Sequence, residues 1–123
     1  MVVDDEEPLL EFIQLVLVSA GYSVQTAVDP LKAIAWLESV NWKVDLIISD
    51  ILMPEMDGLS FLQIVRRHSN DAALLLISAY LIAEDLWGEQ SRISFLPKPF
   101  GQQELIHAVE DCVAKYRGSR APF

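Results

Sequence analysis

Short apolar runs rich in valine and isoleucine alternate along this chain with longer stretches whose apolar residues recur every three or four positions. The runs, at 1–3, 24–27, 44–49, 74–78 and 93–96, have the composition of strands buried on both faces. Five segments between and after them are expected to be helical. The first, 8–20, opens on Pro8 behind a row of acids and stops at Gly21. That arrangement suits the first helical position, the positive end of the helix dipole and a glycine stop. In the second, 30–39, Asp29 and Pro30 serve as N-cap and first helical residue. The third, 59–68, follows the Asp57-Gly58 turn, and the fourth, 82–90, has the weakest pattern. The last, 102–116, aligns Leu105, Ile106, Val109, Cys112, Val113 and Tyr116 on one face.

Strands alternating with helices imply parallel βαβ units with right-handed crossovers. The expected fold is therefore a five-stranded, doubly wound parallel α/β sheet with five helices, forming one domain over 1–118 with a short tail at 119–123. In such sheets the ligand site lies beyond the carboxyl ends of the strands.

Charge narrows the function classes. Nine basic and eighteen acidic residues give a net charge of −9, a field that repels nucleic acid and anionic lipid. The apolar runs are too short to cross a membrane. Cys112 is the only cysteine, so an internal disulfide is excluded, and the MVVDDEEP start lacks the features of a signal peptide. These points lead to the expectation of a cytoplasmic protein. His68 and His107 have no metal-ligand spacing and are read as structural, and Cys112 as a small packed residue.

The carboxyl ends of the expected strands carry the chemistry. Asp50 closes VDLIISD, Asp4 and Asp5 follow the first run, Ser78 ends AALLLIS, and Lys98 sits in LPKPF after ISF. Three carboxylates in one cleft repel each other unless a small hard cation such as Mg²⁺ joins them. Lys98 offers a compact positive charge and Ser78 a hydroxyl, a set suited to phosphoryl chemistry on an aspartate.

These segments, VDDEEP, the SD of IISDILMPEMDG, the SA of ISAY and the KPF of LPKPF, stand in order and at suitable spacings. Through them the chain resembles the receiver domain of two-component response regulators over nearly its whole length. The resemblance implies the flavodoxin-like strand order 2-1-3-4-5 and a phosphoacceptor role for Asp50, supplied by a histidine kinase or histidine phosphotransfer protein. It implies Asp5, Asp50 and the main-chain carbonyl of Leu52 as Mg²⁺ ligands, with Asp4 acting through water. Lys98 would bridge phosphate and carboxylate, Ser78 would be the switch hydroxyl and Phe95 the switch aromatic, and a cis bond is expected between Lys98 and Pro99. Such a protein is no enzyme beyond catalysing its own phosphorylation and dephosphorylation. Its output would be a downstream protein target, its own homodimer or a phosphorelay, since the sequence ends soon after the last helix, with a piece of a longer protein as the alternative.

Departures from the family pattern carry expectations too. Leu52 is apolar where many receivers place a side chain that meets the attacking water, which points to a long-lived phosphoryl group. Pro97 removes a strand donor and suits an edge strand. The Gly-Ala pair common before the last strand is absent, and the first strand is expected to be short. In the first helix, Leu9, Phe12, Ile13, Val16, Leu17 and Ala20 form the inward stripe. Leu10, Leu15 and Val18 fall outside it and are assigned to the kinase-docking face, with wider core packing as the alternative. Trp87 and Tyr80 are assigned to the output face, with core filling as the alternative for Trp87. Glu6 and Glu7 are assigned to the helix dipole.

Two rivals remain at this level. A haloacid-dehalogenase-type phosphohydrolase also uses a strand-end aspartate, but its D-x-D-x-T pattern is absent. A phosphorylation-independent adaptor would keep the fold without needing the acids, hydroxyl and lysine. A nucleotide-binding Rossmann domain lacks its G-x-G-x-x-G.

Overall fold

The computed structural model describes residues 1–69, 71–79 and 92–116. Its strands are β1 (Val2–Val3), β2 (Thr26–Ala27), β3 (Leu46–Asp50), β4 (Ala73–Ser78) and β5 (Ile93–Pro97). The helices are α1 (Glu7–Ser19), α2 (Pro30–Ser39), α3 (Gly58–His68) and α4 (Gln102–Tyr116). The strands form one parallel sheet in the order β2-β1-β3-β4-β5. The expected helix at 82–90, with Tyr80 and Trp87, and the tail at 119–123 lie outside the described residues.

Alternation along the central strands divides the core in two. Leu46, Ile48, Ala73, Leu75 and Ile77 meet α1 and α4 through Ile13, Leu17, Leu105 and Val109. Ile47, Leu74 and Leu76 meet α2 and α3 through Leu37, Phe61, Leu62 and Val65. Every residue of β3 and β4 is buried, which is why these strands read as continuous apolar runs.

The caps follow their sequence signals. Asp29 accepts from the backbone N–H of Lys32 at 2.8 Å, and Asp57 from that of Ser60 at 2.8 Å. At the end of α3, His68 stacks on Trp42 with ring centroids 4.1 Å apart, consistent with a structural role. Cys112 is buried, with its thiol 3.4 Å from the Leu74 carbonyl oxygen.

Two expectations need correction. β2 begins at Thr26, not residue 24, because β1 offers only Val2 and Val3 as partners. Leu10 is 6% exposed and belongs to the core, so it is removed from the docking face. It continues the line of Ile13 and Leu17 at i, i+3 and i+7, a stripe wider than first drawn. Leu15 and Val18 remain outside, 67% and 52% exposed, while Ala20 is exposed at the helix end.

Candidate phosphoacceptor site

Strand register gathers the site residues. Val3 pairs with Ser49, so Asp4 leaves β1 level with Asp50 at the end of β3. Asp50 pairs with Ile77, and Ser78 pairs with Pro97, bringing Ser78 and Lys98 to the same edge. The Lys98 N–H donates to the Ser78 carbonyl at 2.8 Å, and the Lys98-Pro99 bond is cis.

Asp50 is 4% exposed and held at both carboxylate oxygens. Its Oδ1 accepts from the backbone N–H of Ile51 at 2.8 Å, and its Oδ2 accepts from Lys98 Nζ at 3.1 Å. Burial works to lower the Lys98 pKa, but the hydrogen bond to Asp50 and the charges of Asp50, Asp4 and Glu6 outweigh it. The ammonium is held above its ordinary range.

Asp4, Asp5 and Asp50 each present a carboxylate oxygen within 4.8 Å of the others. Asp5 is exposed, whereas Asp4 is fully buried. Asp4 Oδ1 accepts from the Glu6 N–H at 2.9 Å, while its buried Oδ2 has no hydrogen-bond partner. Burial, opposed by the Glu6 N–H and reinforced by the charge of Asp50, raises the Asp4 carboxyl to about 6. An orphaned buried oxygen beside two further carboxylates fits a small divalent cation of the Mg²⁺ class, which takes oxygen ligands and keeps several waters.

The other expected residues surround this centre. Ser78 is 1% exposed at the end of β4. Phe95 is half-buried in β5 against the α2–α3 side of the core. Leu52 turns its side chain outward, 58% exposed, two residues beyond Asp50. A cavity of about 740 Å³ lies at the amino-terminal edge of the sheet, lined in part by Leu17, Tyr22, Trp36 and Leu46. None of the site residues lines it.

Three contributors were given no part in the site from sequence. Glu6 Oε1 lies 3.5 Å from Lys98 Nζ. The buried Ser49 hydroxyl donates to the Asp50 carbonyl oxygen at 2.9 Å. Gly58 packs so tightly that an added Cβ would sit 1.9 Å from that same oxygen. The Asp57-Gly58 pair signalled a turn at Gly58 but not its place at the site, and the other two depend on tertiary approach.

The family model for the response regulator receiver domain matches residues 1–110. Sensor kinase CckA of Brucella abortus is 32% identical over 119 residues, covering 94% of this chain and 12% of that protein. A CpxR homolog of Haemophilus influenzae, named as a transcriptional regulatory protein, is 31% identical, covering 89% of this chain and 48% of its own. The chain thus spans less than half of either relative. Among solved structures, response regulator TrrA of Thermotoga maritima, in complex with Mg²⁺-BeF, has a TM-score of 0.79 at 31% identity. It covers 90% of this chain and 95% of its own. With the parallel sheet order, the strand-end acids and the family match over most of its length, this chain belongs to the response regulator receiver domain family.

Proposed function

We propose that the chain is a phosphoacceptor that takes a phosphoryl group from the phosphohistidine of a histidine kinase or phosphotransfer protein onto Asp50, using Mg²⁺. The observation that carries this reading is the buried Asp50 carboxylate, bonded to Lys98 at 3.1 Å and clustered with Asp4 and Asp5. An Asp50 oxygen attacks phosphorus, the P–N bond breaks, and the imidazole leaves, to be protonated afterwards. Phosphoryl transfer through a loose transition state asks mainly for positioning and charge. Lys98 takes one phosphoryl oxygen and Ser78 donates its hydroxyl to another.

Asp5, Asp50 and the Leu52 carbonyl would hold the cation, with Asp4 acting through water. When bound, the cation supplies positive charge against the carboxylates and the incoming phosphoryl group. A receiver-type structure in complex with Mg²⁺-BeF supports this assignment.

The bound phosphoryl group then biases a two-state switch in which Ser78 moves toward it and Phe95 turns inward. Shifting such an equilibrium from 1:99 to 99:1 takes about 5.5 kcal/mol of differential contact. Leu15 and Val18, exposed on α1, form the apolar part of the kinase-docking face. A downstream protein reads the switched surface. The net charge of −9 argues against direct contact with DNA by this unit, and among the described residues no helix is long and apolar enough to cross a membrane. A cytoplasmic setting accords with a kinase partner.

Intact-mass measurement with acetyl phosphate and Mg²⁺ tests the proposal. One phosphoryl group should appear in the wild type and none in Asp50→Ala. Absence of label in the wild type would favour a phosphorylation-independent adaptor.

A further inference from the structure

Glu6 occupies the N-cap position of α1, yet its side chain makes no capping hydrogen bond. Asp29 and Asp57, at the same position of α2 and α3, both bond their own helices. Glu6 instead directs its carboxylate to Lys98 Nζ at 3.5 Å, the nitrogen that also donates to Asp50 Oδ2 at 3.1 Å. Its backbone is fixed by the N–H bond to Asp4 Oδ1. The assignment of Glu6 to the helix dipole therefore misses its main contact.

We infer that Glu6 is a positioning residue that tethers Lys98 in the unphosphorylated protein and slows its engagement with an incoming phosphoryl group. This deepens the phosphoacceptor reading and rests on it. In the resting site one ammonium serves two carboxylates on different elements, Glu6 before α1 and Asp50 on β3. A phosphoryl group entering between Asp50 and Lys98 needs that ammonium to turn toward its oxygens, and the Glu6 contact holds it back. Glu6 is 63% exposed at the side chain and Lys98 18%, so the tether is weak enough to break in each cycle and strong enough to set a rate.

The test is the phosphorylation rate with acetyl phosphate at saturating Mg²⁺, with Mg²⁺ affinity measured separately by calorimetry. Glu6→Gln removes the charge and with it the ion pair, leaving only a neutral amide oxygen near Lys98. Glu6→Asp keeps the charge but is one methylene shorter and cannot reach. Glu7→Gln removes the same charge from the first turn of α1, where Glu7 makes no ion pair among the described residues.

Glu6→Gln and Glu6→Asp should each raise the rate about three- to five-fold, the range open to an exposed ion pair. Glu7→Gln should stay near wild type, and Mg²⁺ affinity should be unchanged in all three. A wild-type rate in Glu6→Asp beside a fast Glu6→Gln would overturn the tether in favour of simple charge repulsion. Equal acceleration in Glu7→Gln would do the same, and an unchanged or slower Glu6→Gln would remove the role altogether. Failure of the underlying phosphoacceptor reading is distinguishable, because the wild type itself would then take no label.

Discussion

Gly58→Ala sets two effects of opposite sign against each other. Gly58 is the first residue of α3, and alanine in a helix gains roughly 0.5–1 kcal/mol over glycine. Helix propensity alone therefore predicts a stabilised protein. The new methyl group, however, would lie 1.9 Å from the Asp50 carbonyl oxygen and 2.7 Å from its carbon. Ordinary contact begins near 3.4 Å, so α3 or the end of β3 has to retreat by more than an ångström. Neither moves freely, since Gly58 N–H donates to Ile51 O at 2.7 Å and Asp50 lies in a fully buried strand.

Overpacking costs typically about 1–3 kcal/mol and sometimes more, and a 1.9 Å approach to a backbone atom belongs at the upper end, so it should outweigh the propensity gain and leave a net loss of about 1–2 kcal/mol. The acceptor moves with the backbone, and an ångström of misplacement can cost about a hundred-fold in rate. Urea unfolding followed by tryptophan fluorescence measures the first quantity. Acetyl phosphate labelling of the protein, kept where circular dichroism shows it folded, measures the second. A variant as stable as wild type that labels at the wild-type rate would refute the packing argument.

Further predictions concern charge, lifetime and docking. The Asp4 carboxyl titrates near 6 in the fold against 3.8 for its ordinary value, so the folded state binds its proton more tightly than the unfolded chain. Without metal, this acid costs stability progressively as pH rises from about 4 to 6, an upper bound of roughly 3 kcal/mol by pH 7. Asp4→Asn should flatten that decline in urea unfolding across pH 4–7 and raise stability at pH 7, and a variant as pH-sensitive as wild type would contradict the assignment. Mg²⁺ should raise the melting temperature more at pH 7.5 than at pH 5, where Asp4 is protonated; an equal shift at both would place the cation elsewhere. Leu52→Asn should shorten the lifetime of the phosphorylated protein several-fold, read by loss of label after donor removal, whereas a wild-type lifetime of seconds with no change in the variant would exclude slow resetting by Leu52. Leu15→Glu with Val18→Glu should impair transfer from a cognate kinase while sparing acetyl phosphate labelling, and equal loss of both would indicate misfolding.

The sequence made the alternation of strands and helices legible because β3 and β4 are buried on both faces and contain little else but apolar residues. Asp50, Ser78 and Lys98 were legible for the same reason, since each interrupts or follows an apolar run at the strand end where ligands bind. Leu10 was misplaced because one helical period admits a wider stripe than the one drawn through Leu9 and Phe12. The roles of Glu6 and Ser49 were illegible because a flexible carboxylate or a strand serine reveals its partner only when distant strands are in register. Gly58 read as an ordinary turn glycine, and nothing local announces that α3 presses on the acceptor's own carbonyl.

Whether the phosphoryl group resides on Asp50 is decided by borohydride trapping. Reduction of the phosphorylated protein converts an acyl phosphate to an alcohol, turning the acceptor aspartate into homoserine that peptide mass mapping can place. Homoserine is expected at position 50 alone, dependent on Mg²⁺ during labelling; homoserine at Asp4 or Asp5, or none in labelled protein, would rule out Asp50 as the acceptor.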